Sequence, residues 1–457
     1  MSYTSERAEI RFGCGLMSKQ SLAPDAGAFL GRLTSADTVA ARYPIERFDV
    51  FQTRIAQERQ STRMARDMGS ERASKAAARA RRDLRKEAQT DAMRWMGHTL
   101  LRRATTADGF RERLTAFWAD HFTVIGKGGL LRYGAMPYVE QAIRPHVAGS
   151  LGDMLRAVAT APMMLIYLDQ DRSAGPNSAR ARSGRGGVNE NLAREMLELH
   201  TVGLGAGYDQ NDVIELAHLL AGLSVSVEEG FVFRRNATEP GAETVLGVSY
   251  GADGPGRLED VMAALDDLAR HPATAEHLAR KLAVHFVGDN PAPGLVAAMA
   301  SAYREGQGDL MAVYAAMLDH PAAWEGPGNV KRPVDFVGSA LRALRVDRLP
   351  LRQSAKFDML LHQPLMLMGQ PWDRPEGPDG WPEADDDWIT PQRLAGRLQW
   401  ALNVPPVLLN RLPDPREFVR DVLAPGVPEE LLFAARAAET RAEGIAVILS
   451  SPAFQRM

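Results

Sequence analysis

The densest concentration of groups able to do chemistry runs Asn189-Glu190-Asn191-Leu192-Ala193-Arg194-Glu195-Met196-Leu197-Glu198-Leu199-His200-Thr201. On a helix at ~100° per residue, Asn191, Arg194, Glu195 and Glu198 fall within roughly a quarter to a third of the circumference. Leu192, Met196 and Leu199 form the apolar side. Two carboxylates one turn apart can share a metal ion or drive each other's pKa values apart for acid–base work. His200 lies ~200° from Glu198 on the same helix. It joins the glutamates only if the helix ends there and the chain turns back, and Gly203 supplies such an end. The ferritin-type Glu-x-x-His fails at this place, because position 198 is Glu. Neither a zincin His-Glu-x-x-His nor a Gly-x-Ser-x-Gly nucleophile elbow is present.

Other segments offer groups to the same site. His121 follows Asp120 on an apolar stripe, beside Trp118. Asp169 and Asp171 follow the apolar run Met163–Leu168 and lead into a Gly/Ser/Arg-rich loop, residues 173–188. That loop delivers the chain to Asn189, where a helix N-terminus with Arg182 and Arg185 nearby has the features of an anion site. It is not a P-loop, since the lysine and the spacing are missing. The plainer readings are an Arg194–Glu198 ion pair one helical turn apart, a solvated Glu195, and a hydrogen-bonded core His121. Asp385-Asp386-Asp387 lacks the alternating spacing of a calcium loop and reads as surface acidity.

Helices must position these groups. From Phe110, apolar residues recur at Leu114, Phe117, Trp118 and Phe122, a helical stripe. Asp209 is placed to cap a helix striped by Val213, Leu216, Ala217 and Leu220. Leu258–Leu268 carries another stripe, and Pro272 stands where the next helix begins. Similar patterns cover 310–318, 334–344, 392–402 and 436–449. Strand signals are few: Phe231-Val232-Phe233 and Thr244-Val245-Leu246 flank a turn-rich stretch and predict a minor β-hairpin or ribbon over 230–247. No βαβ alternation is visible, so the expected fold is an all-α, large multi-helix globular domain spanning 1–457. A Gly/Pro/Trp/Asp-rich loop covers 369–390, and the C-terminal helices form a candidate sub-lobe.

Composition narrows the function classes. At 45% hydrophobic and 24% charged, the chain is ordinary for a folded protein rather than a disordered one. A net charge of −3 gives no field that demands nucleic acid. The seven basic residues between Arg72 and Lys86 therefore read first as a solvated helix face, with nucleic-acid contact as a weaker alternative. The single cysteine, Cys14, rules out an intrachain disulfide or a multi-cysteine zinc site. No basic-then-apolar leader opens the sequence and no run approaches the ~20 apolar residues of a membrane helix. The expected compartment is the cytoplasm.

At these residues the chain resembles the bacterial family known as domain of unknown function 1800. The resemblance runs through Glu9-Ile10-Arg11-Phe12-Gly13-Cys14-Gly15, Phe117-Trp118-Ala119-Asp120-His121-Phe122 and Tyr167-Leu168-Asp169. It continues through Asn189-Glu190-Asn191 to Glu195, Glu198, Leu199, His200 and Thr201, and then Tyr208–Gly222 and Lys281–Phe286. Lys331-Arg332-Pro333 and Gly380-Trp381-Pro382 with Trp388 complete it. The resemblance implies an all-helical fold and a partner of the domain-of-unknown-function-1501 type, similar to alkaline-phosphatase and sulfatase folds. Many relatives carry export signals, which makes the periplasm the alternative compartment. Relatives tend to show a His and a Lys in the ribbon, where this chain has Thr238 and Glu243 before Leu246-Gly247.

Two functions follow from this reading. The first is a metal-assisted enzyme, a hydrolase or oxidoreductase, holding a divalent transition metal. Its catalytic residues would be Glu190, Glu195, Glu198, His200, His121 and Asp169, with Glu195, Glu198 and His121 as metal ligands. Asn189, Asn191, Arg194 and Trp118 would contact substrate. The second is a non-catalytic binding or assembly protein that docks the sulfatase/phosphatase-like partner, the polar cluster being a structural network. Convergence of Glu195, Glu198 and a histidine on one point favours the first, and carboxylates paired with Arg194 favour the second.

Overall fold

The structure is a computed structural model and describes residues 3–184, 186–423 and 426–457. Arg185, one of the two arginines expected near the motif, lies outside the described residues. Helix follows helix, as the apolar periodicity requires. A long pair, α1 (Phe48–Met68) and α2 (Glu71–Thr105), is joined at Gly69, which takes the left-handed conformation (φ 58°) that closes α1. Ser70 caps α2 by accepting from the Ala73 amide. The basic stretch of α2 is largely exposed and laced by ion pairs such as Lys75–Glu71 (2.6 Å) and Arg85–Glu58 (3.0 Å). This is the solvated helix face.

Two large apolar cores and a small cluster of Val39, Tyr43 and Leu101 result, and α2 runs between the large ones. Ala88 and Trp95 enter the first core, with Phe12, Phe110, Phe117, Phe286 and Trp324. Met96, Leu100 and Ala104 enter the second, with Phe336, Trp400, Phe418, Ile445 and Phe454. Adjacent residues 95 and 96 thus serve different cores. Helix α3 (Gly109–His121) carries the Phe110 stripe into the first core.

The motif forms a short helix, α4 (Asn191–Glu195), that widens into a π-turn over Met196–His200. A continuous α-helix was the expectation here. The wider i→i+5 turn breaks its regular 100° spacing. Helix α5 (Gln210–Leu220) begins at the Asp209 capping box.

Two antiparallel hairpins stand where one ribbon was expected. Strands β1 (Leu223–Ser226) and β2 (Gly230–Phe233) pair, and so do β3 (Pro240–Val245) and β4 (Val248–Pro255). Phe231–Phe233 therefore pairs backward with Leu223–Val225, not forward with Thr244–Leu246. The reason is the Leu246-Gly247 turn. Both residues have positive φ (48° and 79°), the two-residue hairpin geometry that fits strand twist.

Among the helices that follow are α6 (Leu258–Arg270), α7 (Pro272–Phe286), α8 (Pro293–Glu305), α9 (Leu310–Asp319), α10 (Pro333–Ala343) and α11 (Pro391–Asn403). The single helical pattern read over 436–449 is two helices, α12 (Glu429–Ala437) and α13 (Arg441–Ser450). A second capping box, Thr440 with Glu443, restarts the chain between them. Among the described residues, no helix is long and apolar enough to cross a membrane.

Buried ions join the two cores. Arg103 of α2 and Arg113 of α3 reach Asp335 of α10 at 2.5 and 3.7 Å. Arg332 bridges Asp120 of α3 and Glu383 of the 369–390 loop, both at 2.7 Å. His285 closes the array at 3.1 Å from Glu383. Replacing Arg332 with Ala strands two carboxylates in a low-dielectric interior. We expect a loss of about 3–5 kcal/mol of stability in urea denaturation and faster amide exchange at Gly380 and Trp381.

Candidate functional site

The first turn of the motif is tied down by its own side chains. Asn189 accepts from the Asn191 amide (2.9 Å) and donates to the carbonyls of Leu168 and Asp169 (both 3.3 Å). Asn191 itself is exposed. Arg194 bridges Glu190 (3.0 Å) and Glu198 (3.3 Å), and Gln210 of α5 donates to Glu190 (2.9 Å). One side of the polar face is thus a zipped ion ladder.

Glu195 sits differently. It is half-buried, and no ion pair to it is found among the described residues. Burial, then the charges of Glu198 and of Asp379 from the 369–390 loop, push its carboxyl above the usual glutamate range. Arg194 pulls weakly the other way. The phenol of Tyr167 is raised by burial and by Glu195 and Asp379. Tyr208 donates to Glu198, and its own phenol is raised by burial and by the Glu198 charge. Segments far apart in sequence thus bring three carboxylates and two phenols together at the motif.

Behind this face lies a layer of imidazoles. The π-turn leaves backbone carbonyls without helical partners. His277 of α7 donates Nε2–H to the Leu199 carbonyl at 3.1 Å, and His121 donates Nε2–H to the His200 carbonyl at 3.2 Å. Thr201 donates to the Met196 carbonyl (2.7 Å), and the Gly203 amide to that of Leu197 (2.9 Å). Gly203 is required here: its φ is +83°, and a Cβ would stand 2.5 Å from His277 Nδ1.

His200 is 1% exposed and its ring centroid is 6.0 Å from that of His121. Burial, then the nearby charge of Lys281, holds His200 down at about 3. His121 is likewise depressed, by burial first and then by Lys281, His200 and His277. Burial also lowers the Lys281 ammonium, against the pull of Glu383 and Asp120. The Nδ1 atoms of His121 and His200 are buried without a hydrogen-bond partner.

Several expected residues have other placements. Trp118 lies in the first core, 0% exposed, donating to the Tyr314 hydroxyl at 2.8 Å; it presents no surface to a substrate. Asp169 adopts a left-handed φ of 56° and pairs with Lys127 at 2.6 Å. Glu195, Glu198 and His121 do not form a compact ligand set, because His121 is buried with Nε2 on a backbone carbonyl and Glu198 is held by Arg194. Among the described residues, the group with all three ligand atoms within 4.8 Å is Glu215, His218 and Glu243. Glu215-Leu216-Ala217-His218 is a Glu-x-x-His spacing that was legible in the sequence and overlooked.

On the other side of α3 lies a cavity of about 160 Å³, lined by Glu112, Asp120, Arg144, Asp335 and Asp373 among others, and by none of the motif residues. Burial pushes the Asp373 carboxyl up to about 7.

The pattern of the family described as "Protein of unknown function (DUF1800)" matches residues 18–456, nearly the whole chain. The chain belongs to that family. No curated protein and no solved structure matches it. Several of the DUF1800 segments quoted from the sequence meet in space: Asp120-His121, the motif, Lys281 of α7, Arg332 and Trp381 lie around one polar layer.

The buried imidazoles His121, His200 and His277 predict an acid limit to stability. Folded-state pKa values below the unfolded value of about 6.5 mean that the unfolded chain binds more protons between the two. Stability is therefore complete above about pH 6.5 and falls as pH drops, by ~1.4 kcal/mol per pH unit for each buried histidine. His200→Phe should flatten that slope in urea titrations between pH 4 and 7. His277→Phe should cost about 1–3 kcal/mol at pH 7.5 by leaving the Leu199 carbonyl unpaired.

Proposed function

We propose that this DUF1800 protein is an enzyme that works by acid–base chemistry at the motif face, with Glu195 as the proton carrier. The observation that supports this reading is the position of Glu195. It is half-buried beside two further carboxylates, while the only arginine on its helix is engaged by Glu190 and Glu198. A carboxyl held above its usual pKa can donate a proton near neutrality. Hydrolysis is the class that fits: Glu195 protonates a leaving group, and Glu198 or Asp379 takes a proton from the attacking water. Tyr167 and Tyr208 offer hydroxyls to a polar substrate. A divalent metal remains compatible with this set if the carboxylates close on it. Glu190, Asn189 and Asp169 act as positioning residues.

A second reading is favoured by a different observation. Leu394, Leu398 and Leu402 repeat every four residues along α11, 37%, 43% and 47% exposed, and Met366 and Leu367 are exposed on a short helix that packs against α11. Such a stripe suits docking of another protein, for which the sulfatase/phosphatase-like partner is the candidate.

The two readings make opposite forecasts for Glu195→Gln. A raised carboxyl pKa means that ionised Glu195 opposes folding at neutral pH, so removing the charge should stabilise the protein at pH 7.5. Under the enzyme reading it should also lower turnover ~10²–10⁴-fold on any ester, phosphoester or glycoside the wild type cleaves. Thermal melts beside a hydrolase panel make the comparison. A destabilised variant, with no wild-type turnover and no NMR-detected rise in the Glu195 carboxyl pKa, would instead support the structural network.

A further inference from the structure

The geometry points to a divalent transition-metal site formed by Glu215 and His218 of α5 and Glu243 of β3, separate from the motif face. One ligand atom from each residue lies within 4.8 Å of the other two. His218 Nδ1 stands 3.5 Å from Glu243 Oε2. Glu215 and His218 are one helical turn apart, so both project from the same side of α5. Glu243 comes from across the groove, where β3 packs on that helix.

The arrangement is braced rather than a chance meeting of surface acids. Glu215 accepts from the Thr244 amide (2.9 Å), one residue beyond Glu243, which fixes its carboxylate against the strand. Asp212, one turn earlier on α5, accepts from the Leu246 amide (2.7 Å) and holds the turn of the same hairpin. Glu243 is 7% exposed, yet its ion-pair partner among the described residues is an imidazole, not a lysine or arginine. A fourth acid, Glu239, is occupied by the amide and side chain of Asn177 (2.8 and 2.6 Å) and adds negative potential without competing as a ligand.

One imidazole with two carboxylates suits zinc, manganese or iron better than calcium, which takes oxygen ligands alone. Bonds of about 2.0–2.2 Å need the three ligand atoms to draw in from their present separation, a side-chain adjustment. His218 and Glu215 are half-buried, so an ion has a path in and water can fill its remaining positions. His218 would bind as the neutral ring through Nδ1. The ion would clamp the β3–β4 hairpin onto α5, whose first residue, Gln210, holds Glu190 and Arg194 of the motif. The site stands whether or not Glu195 is catalytic.

The test is calorimetric titration of chelator-stripped full-length protein with ZnCl2 and, separately, MnCl2, with CaCl2 as the control. We expect one transition-metal ion per chain, a metal-dependent rise in melting temperature, and at least about tenfold weaker binding in Glu243→Gln and in His218→Gln. Because a variant can fail to fold, the wild type carries a second readout. Metal should protect His218 from diethyl pyrocarbonate, mapped by mass spectrometry, more than it protects His146 or His320. No binding up to millimolar metal, or binding that leaves His218 reactive and is unchanged in both variants, would overturn the proposal.

Discussion

Arg332 holds the molecule's two halves to a common frame. It is buried between Asp120 of the first core's α3 and Glu383 of the loop that precedes the second core's α11. A buried guanidinium is tolerable only when its charge is matched and its geometry is fixed. Here the matching residues come from both sides, so neither half satisfies its charges alone. The Gly380 backbone, at φ +81°, approaches Asp120 so closely that a Cβ would collide with it, and the Trp381 amide donates to the same carboxylate at 2.7 Å. That contact delivers Asp379 to the motif. Without the Arg332 junction, the loop carboxylate that raises Glu195 has no reason to be there.

The π-turn is the second constraint, and it explains residues that chemistry alone does not. His121 and His277 are placed where helix carbonyls need donors, and both are neutral because burial disfavours charge. Arginine or lysine would also cap carbonyls, but would bring another buried cation beside Lys281. Neutral imidazole donates one hydrogen bond and leaves no charge to compensate. The histidines closest to the motif thus have a structural reason to exist. Glu195 has none on the same account: it caps nothing, pairs with no cation in the structure described, and faces two like charges.

Much of the scaffold was legible because it rests on local periodicity. The stripe from Phe110 gave α3, Asp209 marked the start of α5, and Pro272 that of α7. The π-turn was not legible, since Met196–His200 has the same apolar spacing whether wound as α or π. Pairing of Phe231–Phe233 was misread because two strand-like runs flanked a polar stretch, and the decisive turn, Leu246-Gly247, opens at the last residue of the second run. Helical wheel reasoning correctly grouped Arg194 with Glu198, and the same i,i+4 spacing, extended one turn back to Glu190, explains why both acids share one guanidinium. Asp379, His277 and Lys281 reach the site from segments ~80–185 residues away, a distance over which sequence spacing carries no geometry. Glu215 and His218 were passed over for a different cause: they stand on the polar side of α5, opposite its Val213–Leu220 stripe, where an acid and a histidine read as solvated face, and their third partner sits on a strand.

The two carboxylate clusters differ in how their charge is balanced, and this separates their roles. Around Glu195 the negative groups are gathered on a surface whose single arginine is already engaged, behind which sit neutral rings and a buried lysine. A proton is the smallest cation able to relieve such a cluster, and one proton shared among several carboxylates is the starting point of acid–base work. Around Glu243 the balancing group is one imidazole at 3.5 Å, too far for a good hydrogen bond, held on a rigid helix facing a rigid strand. A proton on that ring serves one carboxylate, whereas a divalent ion serves both and replaces the long pair with short bonds. Helix α5 touches both places, through Gln210 at one end and His218 nearer the other.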